Sequence, residues 1–216
     1  MSKFAFSDAD RNAIYRVIKE RRDMRHFNAD PVDPAILKRL LMAAHQAPSV
    51  GLMQPWRVIR ITDQTVRHSI KELVNDEKNI TAEALGERQE EFMRLKVDGI
   101  DRCAEIIVMS LMDQREQHIF GRRTMPEMDL ASVACAIQNM WLAARAEGLG
   151  MGWVSLFNPD DLASLLNMPA GAKPVAILCL GHVDAFYTAP MLEEENWRHV
   201  DELSDVLFEN TWGNHS

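Results

Sequence analysis

Apolar residues recur at helical spacing near the start of the chain. Ser7 and Asp10 form the S-x-x-D pattern of a helix N-cap. Ile14, Val17 and Ile18 then follow at intervals that place them on one face. These residues predict a first helix that runs directly into a group of arginines.

A second helix is predicted over Ala35–Ala47. Asp33 and Pro34 suit its N-cap and first turn, and Pro48 stops it. Its apolar stripe comprises Ile36, Leu37, Leu40, Leu41 and Ala44.

The strongest helical pattern covers Asp129–Glu147, and Gly148 is placed to end that helix. Its wide apolar face comprises Leu130, Val133, Ala134, Ile137, Met140, Trp141 and Ala144. Shorter apolar runs predict strands, at Arg57–Thr62, Ile106–Met112, Met151–Phe157 and Pro174–Leu180.

The region from Gln64 to about Gly99 is highly charged and favours helix, with a break near Gly86. After His182 the chain becomes irregular and acidic. The whole pattern predicts one α+β domain over residues 1–216, with a C-terminal extension from about residue 184. We expect this extension to contact a partner subunit because it has little core of its own.

Composition narrows the possible functions. The chain has 216 residues, 47% of them hydrophobic, and a formal net charge of −8, which disfavours general binding to nucleic acid. No apolar run approaches the ~20 residues of a membrane helix, and no signal peptide is visible. Cys103, Cys135 and Cys179 are odd in number and far apart in sequence, so we expect a reducing, cytoplasmic compartment. No motif for a metal site occurs.

Three arginines, Arg21, Arg22 and Arg25, lie within five residues, with Asp23 among them. Arginine side chains bind phosphate through two hydrogen bonds, so the cluster suits an anion site. A solvated basic helix end, bridged by the aspartate, is the alternative interpretation.

The loop Ala47–Trp56 lies between a predicted helix and a predicted strand. Ser49 and Gln54 offer hydrogen bonds, and the Gly51 backbone could approach a flat ring. An ordinary turn above a buried Trp56 would fit the same residues.

Glycines recur in EGLGMGWVS, but they follow a helix, whereas a dinucleotide-binding loop follows a strand. We therefore interpret them as positions of close packing, with Ser155 exposed after the strand. The thirteen methionines, including Met24, are suited either to filling the core or to lining an adaptable pocket.

Taken together, these stretches resemble a known family. R-R-x-x-R, then a helix, then A-P-S-x-x-x-x-Q-P-W before a strand resembles the FMN-dependent nitroreductase superfamily, from about Tyr15 to His182. More narrowly, RRDMRHF, APSVGLMQPW, TMPEMDLASVACAIQNMWLAARAEGLGMGWVS and ENWR resemble the 5,6-dimethylbenzimidazole synthases of the BluB type. Asp23 and Leu52 depart from ordinary nitroreductases, which usually have a small polar residue and an asparagine there.

The resemblance implies a central, mainly antiparallel sheet flanked by helices, in a homodimer with FMN at the interface. It implies that FMNH2 is the substrate, cleaved with O2 to 5,6-dimethylbenzimidazole, the lower ligand of cobalamin, and erythrose 4-phosphate. The electrons come either from NAD(P)H at the same enzyme or from a separate flavin reductase. Two other functions stay open: an NAD(P)H-dependent flavin reductase or nitroreductase, and a non-catalytic FMN carrier.

The resemblance also implies roles for individual residues. Asp23 would accept protons near the ring, and Ser155 would position the oxygenated substrate. The implied flavin-contacting residues are Arg21, Arg22, Asp23, Met24, Arg25, Ser49, Gly51, Gln54, Ser155 and, in the tail, Arg198. Residues of about 78–102 would form a lid over the flavin, although their polarity alone fits a solvated helix.

Overall fold

The computed structural model describes residues 3–214. The chain separates into two compact units, the first ending at Phe186 and the second beginning at Tyr187. The helices of the first unit are α1 (Asp8–Glu20), α2 (Pro34–His45), α3 (Gln64–Ala84), α4 (Gln89–Arg94), α5 (Met128–Ala146) and α6 (Pro159–Leu165). Its strands are β1 (Trp56–Ile61), β2 (Glu105–Leu111), β3 (Gly150–Val154) and β4 (Lys173–Gly181). In the second unit, α7 (Met191–Glu194) and α8 (Leu203–Val206) are each a single turn.

The four strands form one antiparallel sheet in the order β1-β2-β4-β3. Every residue of β2 is buried, as its continuous apolar run predicts for a central strand. Helices flank the sheet, so the α+β prediction with a mainly antiparallel sheet is confirmed.

Helix α5 forms much of the core against α2 and the sheet. Val133, Ile137, Met140 and Ala144 are fully buried on the predicted face. Leu130 is expected on the same face but is 46% exposed, whereas its neighbours Asp129 and Ser132 are buried, so the buried face passes beside Leu130. The helix ends where Gly148 takes a φ of 78°, which glycine adopts without steric cost.

Helix α1 differs from the other long helices because none of its residues is buried. Its predicted apolar face is present, yet Ile14, Tyr15 and Ile18 are 51%, 69% and 49% exposed. The helix is capped as expected, since the Ser7 hydroxyl accepts a hydrogen bond from the Asp10 backbone. An apolar face of this kind gains stability only when another surface covers it.

Candidate functional site

The arginine cluster lies along the edge of the sheet. The backbone N–H of Met24 donates to the carbonyl of Met151 in β3, at 3.0 Å, and Asp23 forms a parallel bridge with the same residue. A Cβ on Gly152 would clash with the Met24 carbonyl and come within 2.7 Å of Arg25. The glycines of β3 thus permit close packing, as the sequence predicted.

Asp23 is held by two hydrogen bonds. Its Oδ1 accepts from the backbone N–H of Trp153 at 3.0 Å, and its Oδ2 accepts from Nη2 of Arg25 at 2.6 Å. The same Arg25 nitrogen donates to the Trp153 carbonyl at 2.8 Å. This arrangement fixes the carboxylate beside the end of β3 with one orientation.

The pKa of Asp23 is raised above its ordinary value of 3.8. Desolvation among the surrounding atoms is the largest cause, and it outweighs the opposing effects of Arg25, the Trp153 N–H and Arg21. Some 41% of the side-chain surface still faces solvent, so the carboxylate is surrounded by protein yet reachable.

The three arginines have different surroundings. Arg25 is buried and engaged with Asp23 and Trp153, and Arg22 donates to the carbonyls of Lys19 and Arg21. The guanidinium of Arg21 stacks on the ring of Trp141 at 4.6 Å. No carboxylate forms an ion pair with Arg21 within residues 3–214, so its charge is available to an anion.

The loop after α2 has an unusual backbone. Gly51, Leu52 and Gln54 all have positive φ, at 52°, 51° and 47°, a region that non-glycine residues seldom adopt. The Ser49 hydroxyl accepts from the Gln54 N–H at 3.0 Å, which closes the loop on itself. The loop leaves Leu52 83% exposed, while Trp56 is buried beneath it as the turn interpretation expected.

The loop and the arginine cluster are anchored at different points of α5. The Val50 N–H donates to the hydroxyl of Ser132, in the first turns of that helix. The arginine cluster contacts Trp141, whose Nε1 donates to the Arg22 carbonyl at 3.2 Å. Nine residues of helix, ~14 Å, separate Ser132 from Trp141. Within one chain, the loop and the arginine cluster therefore contact α5 at points that are far apart.

The other predicted residues occupy varied positions. Ser155 is exposed just after β3, two residues beyond the backbone that holds Asp23. Met24 is fully buried. Arg198 lies in the second unit, where it is 76% exposed and 3.6 Å from Asp201.

The predicted lid region, residues 78–102, contains the end of α3, a break at Gly86 and α4. It is partly packed, since Phe92, Leu95 and Ile100 are buried. Lys71 anchors its end by binding Asp98 at 3.0 Å and Asp101 at 3.1 Å.

Sequence reasoning missed two residues of this site. The sequence pattern places Trp141 only on a helix face, although the guanidinium of Arg21 stacks on its ring. The pattern does not distinguish Trp153, because this residue holds Asp23 and Arg25 through backbone groups that any residue has. Only the pairing of the Asp23 segment with β3 reveals that role.

Comparison with known proteins identifies the family. The nitroreductase family matches residues 18–182. Curated 5,6-dimethylbenzimidazole synthases of Rhodobacter capsulatus and Rhodospirillum rubrum are 38% and 39% identical over 89% of this chain, which covers 94% and 92% of their lengths. An iodotyrosine deiodinase solved with FMN and 3-iodo-L-tyrosine has a TM-score of 0.71 at 20% identity, covering 92% of this chain and 100% of its own; this match concerns the fold alone.

No helix within residues 3–214 is both long and apolar enough to cross a membrane. The family match, the two curated relatives and the fold agree with one another. The chain therefore belongs to the nitroreductase family and, within it, to the 5,6-dimethylbenzimidazole synthases.

Proposed function

We propose that this chain synthesises 5,6-dimethylbenzimidazole by cleaving FMNH2 with O2, releasing erythrose 4-phosphate. The identity of 38–39% to curated synthases over 89% of the chain carries this proposal. Asp23 supports it from the structure, because a carboxylate that is fixed in orientation and has a raised pKa suits proton transfer.

The residues present fit a flavin phosphate. The Arg21 guanidinium is supported by the Trp141 ring and has no carboxylate partner within residues 3–214, and Arg22 lies beside it. Guanidinium groups bind phosphate oxygens through charge-assisted hydrogen bonds. Arg25 has a different role in this arrangement. Its guanidinium donates hydrogen bonds to Asp23 and to the Trp153 carbonyl inside the protein, so it orients Asp23.

Asp23 and Ser155 would act on the ring of the reduced flavin. Asp23 accepts protons released as carbon–carbon and carbon–nitrogen bonds break, and Ser155 offers a hydroxyl at the exposed end of β3. Reduced flavin supplies the electrons that react with O2. NAD(P)H or a separate flavin reductase supplies the reduced flavin.

A homodimer would complete the site. The loop with Ser49, Gly51 and Gln54 is anchored on α5 about 14 Å from the arginine cluster, so the loop of a second copy is suited to reach the other side of the flavin. The exposed apolar face of α1 offers a surface for that copy. Met24 would support the site from the core, and Arg198 would add a contact to phosphate.

Residues 78–102 would close the site against water. Gly99 lies so close to Phe27 and to the Arg25 carbonyl that a Cβ there would clash with the Phe27 ring. The end of this region therefore lies beside the arginine cluster. Exclusion of water matters because flavin that has reacted with O2 would decay to peroxide in contact with water.

The deciding experiment supplies FMNH2 to the purified chain in aerobic buffer and analyses the products by chromatography and mass. We expect 5,6-dimethylbenzimidazole in the reaction with wild-type protein and none with Asp23→Asn. Intact FMN with only peroxide would contradict synthesis; reduction of FMN by the same protein with added NAD(P)H would then favour a flavin reductase, and FMN binding without such reduction would favour a carrier. Either result would overturn the proposal.

A further inference from the structure

Residues 113–127 connect β2 to α5, and not one of them is buried. Only Asp113, Arg115 and Arg122 are half-buried, and the rest of the segment is exposed. A segment without apolar burial of its own keeps one conformation only where polar contacts fix it, because ordering its backbone costs entropy.

The polar contacts that fix this segment meet at Asp129, in the first turn of α5. Its Oδ2 accepts hydrogen bonds from Nε of Arg115 at 3.0 Å and from Nη2 of Arg122 at 3.1 Å. The side chains of Asp129, Arg115 and Arg122 are only 8%, 13% and 10% exposed. We call these three residues the Asp129 cluster.

A second nitrogen of each guanidinium binds backbone carbonyls. Nη1 of Arg115 donates to the carbonyls of Met112 and Gly171, the latter at 2.7 Å. Nη1 of Arg122 donates to the carbonyl of Arg115 at 2.5 Å and to that of His118 at 3.2 Å. The Asp129 cluster therefore joins the start of the segment and its first turn to α5.

The held segment lies directly against the loop of Ser49–Gln54. A Cβ on Gly51 would come within 2.8 Å of the Phe120 carbonyl oxygen, and a Cβ on Gly121 would come within 2.5 Å of the Val50 side chain. The two stretches of chain are therefore in contact at two positions.

Helix α5 anchors the loop as well. The Ser132 hydroxyl accepts from the Val50 N–H at 3.0 Å and donates to the Met128 carbonyl at 2.6 Å. Ser132 follows Asp129 by three residues, which places both on one face of the helix, and both are buried. The loop and the segment thus share one rigid support.

We propose that the residues of the Asp129 cluster are positioning residues for the Ser49–Gln54 loop, because they hold the segment against it. Leu52 and Gln54 have positive φ, which costs free energy and persists only where surrounding structure imposes it. The segment supplies part of that surrounding structure. That the positioned loop contacts flavin rests on the proposed function, whereas the coupling of loop and segment rests on the contacts alone.

Arg122→Met tests the proposal, since it leaves Asp129 paired with Arg115 and strands no buried charge. Arg123→Met is the matched control, the same substitution at the next residue, which is exposed. Hydrogen exchange of the full-length chain without added flavin is followed by mass spectrometry. Arg122→Met should speed exchange about tenfold in peptides covering 47–55 and 113–127 and leave β2 at the wild-type rate. Arg123→Met should match wild type.

Rescue by a conservative variant tests whether the charge of Arg122 is what matters. Arg122→Lys should exchange more slowly in both peptides than Arg122→Met, because an ammonium group can still pair with Asp129. Three results would overturn the proposal: equal exchange in the Lys and Met variants, faster exchange in 113–127 with an unchanged loop, or faster exchange throughout β2 as well.

Titration of FMN by fluorescence quenching measures the consequence for the site. Arg122→Met should weaken FMN binding about tenfold, the effect of ~1.4 kcal/mol, and Arg123→Met should bind as wild type does. Wild-type affinity in Arg122→Met would overturn the role of the cluster in flavin binding. Neither measurement uses turnover, so wild type that binds FMN without forming product would overturn the proposed function and leave this inference standing.

Discussion

At the scale of single residues, the proposed site depends on the surroundings of one carboxylate and on the pKa that they produce. Asp23 stands among three arginines in the sequence, a composition that by itself lowers the pKa of an acid. In the folded chain, burial against β3 and Arg25 outweighs those charges. Packing of the protein around Asp23 therefore decides the direction of the shift, against the charges of the arginines and the hydrogen bond from the Trp153 N–H.

Asp23→Asn should retain FMN binding but lower product formation at least ~100-fold, the usual contribution of a general base. Asparagine keeps an oxygen that accepts the Trp153 N–H, so the fold should survive, as circular dichroism would check. Asp30→Asn is the control, because Asp30 is exposed in the loop that follows. Full product formation by Asp23→Asn would remove the carboxylate from the mechanism.

The pH dependence of wild type tests the same group. A base must be ionised, so product formation should fall as the pH is lowered through the folded pKa of Asp23. Because that pKa is raised, the fall should occur above the ordinary value of 3.8. A midpoint at or below 3.8, measured by initial rates on enzyme that stays folded, would contradict the assignment.

Arg21→Ala should weaken FMN binding about tenfold or more, since a charge-assisted hydrogen bond contributes ~1.5–3 kcal/mol. Unfolding should change little, because Arg21 has no ion pair within residues 3–214 to lose. Arg16→Ala, on the exposed surface of α1, is the control. Fluorescence quenching of FMN measures the affinity, and equal affinity in the two variants would exclude Arg21 from the site.

At the scale of elements, the charged region between α3 and β2 is packed more closely than its polar sequence predicts. Its composition fits a solvated helix, yet Phe92, Leu95 and Ile100 are buried. Asp98 is buried as well, and its carboxylate accepts from Lys71 of α3 and from the Ile100 backbone. The end of the region is therefore fixed while its polar surface remains outside.

Lys71→Met should destabilise the chain by roughly 3 kcal/mol, because the Asp98 charge would remain buried without its cation. The same change should raise peroxide formed per product if this region closes the flavin site. Thermal unfolding and a peroxide assay measure the two effects. Arg94→Ala is the control, since its pair with Glu90 is fully at the surface and contributes little. If Lys71→Met destabilises the chain but leaves the ratio of peroxide to product unchanged, the ion pair between Lys71 and Asp98 has no role in closing the flavin site.

At the scale of the whole molecule, the first unit carries two features that the proposed homodimer would explain. Helix α1 exposes an apolar face, and the loop at Gly51 is anchored far from Arg21 along α5. Both are expected of a chain whose site is completed by a second copy. A single assembly would then cover the apolar face and join the two halves of the site.

Ile14→Glu with Ile18→Glu should convert a dimer to a monomer and abolish FMN binding, because charges cannot be buried in an apolar interface without large cost. Light scattering and FMN titration measure both outcomes. Ile80→Glu is the control for oligomeric state, since Ile80 is 60% exposed on α3. A double variant that stays dimeric and binds FMN would place the interface elsewhere.

The sequence by itself determined most of the elements of this protein. The caps at Ser7 and Asp33, the apolar run of β2 and the stop at Gly148 are local signals, and each element forms where they predict. It also carried the motifs that indicate the family, because those motifs are contiguous stretches of residue types.

Only the tertiary structure decided how these parts act on one another. The direction of the Asp23 pKa shift and the role of the Trp153 backbone both depend on groups distant in sequence. Desolvation and hydrogen bonding act over a few ångströms in space, whatever the separation along the chain. A sequence lists the groups, and the pairing of strands determines which of them come within that range.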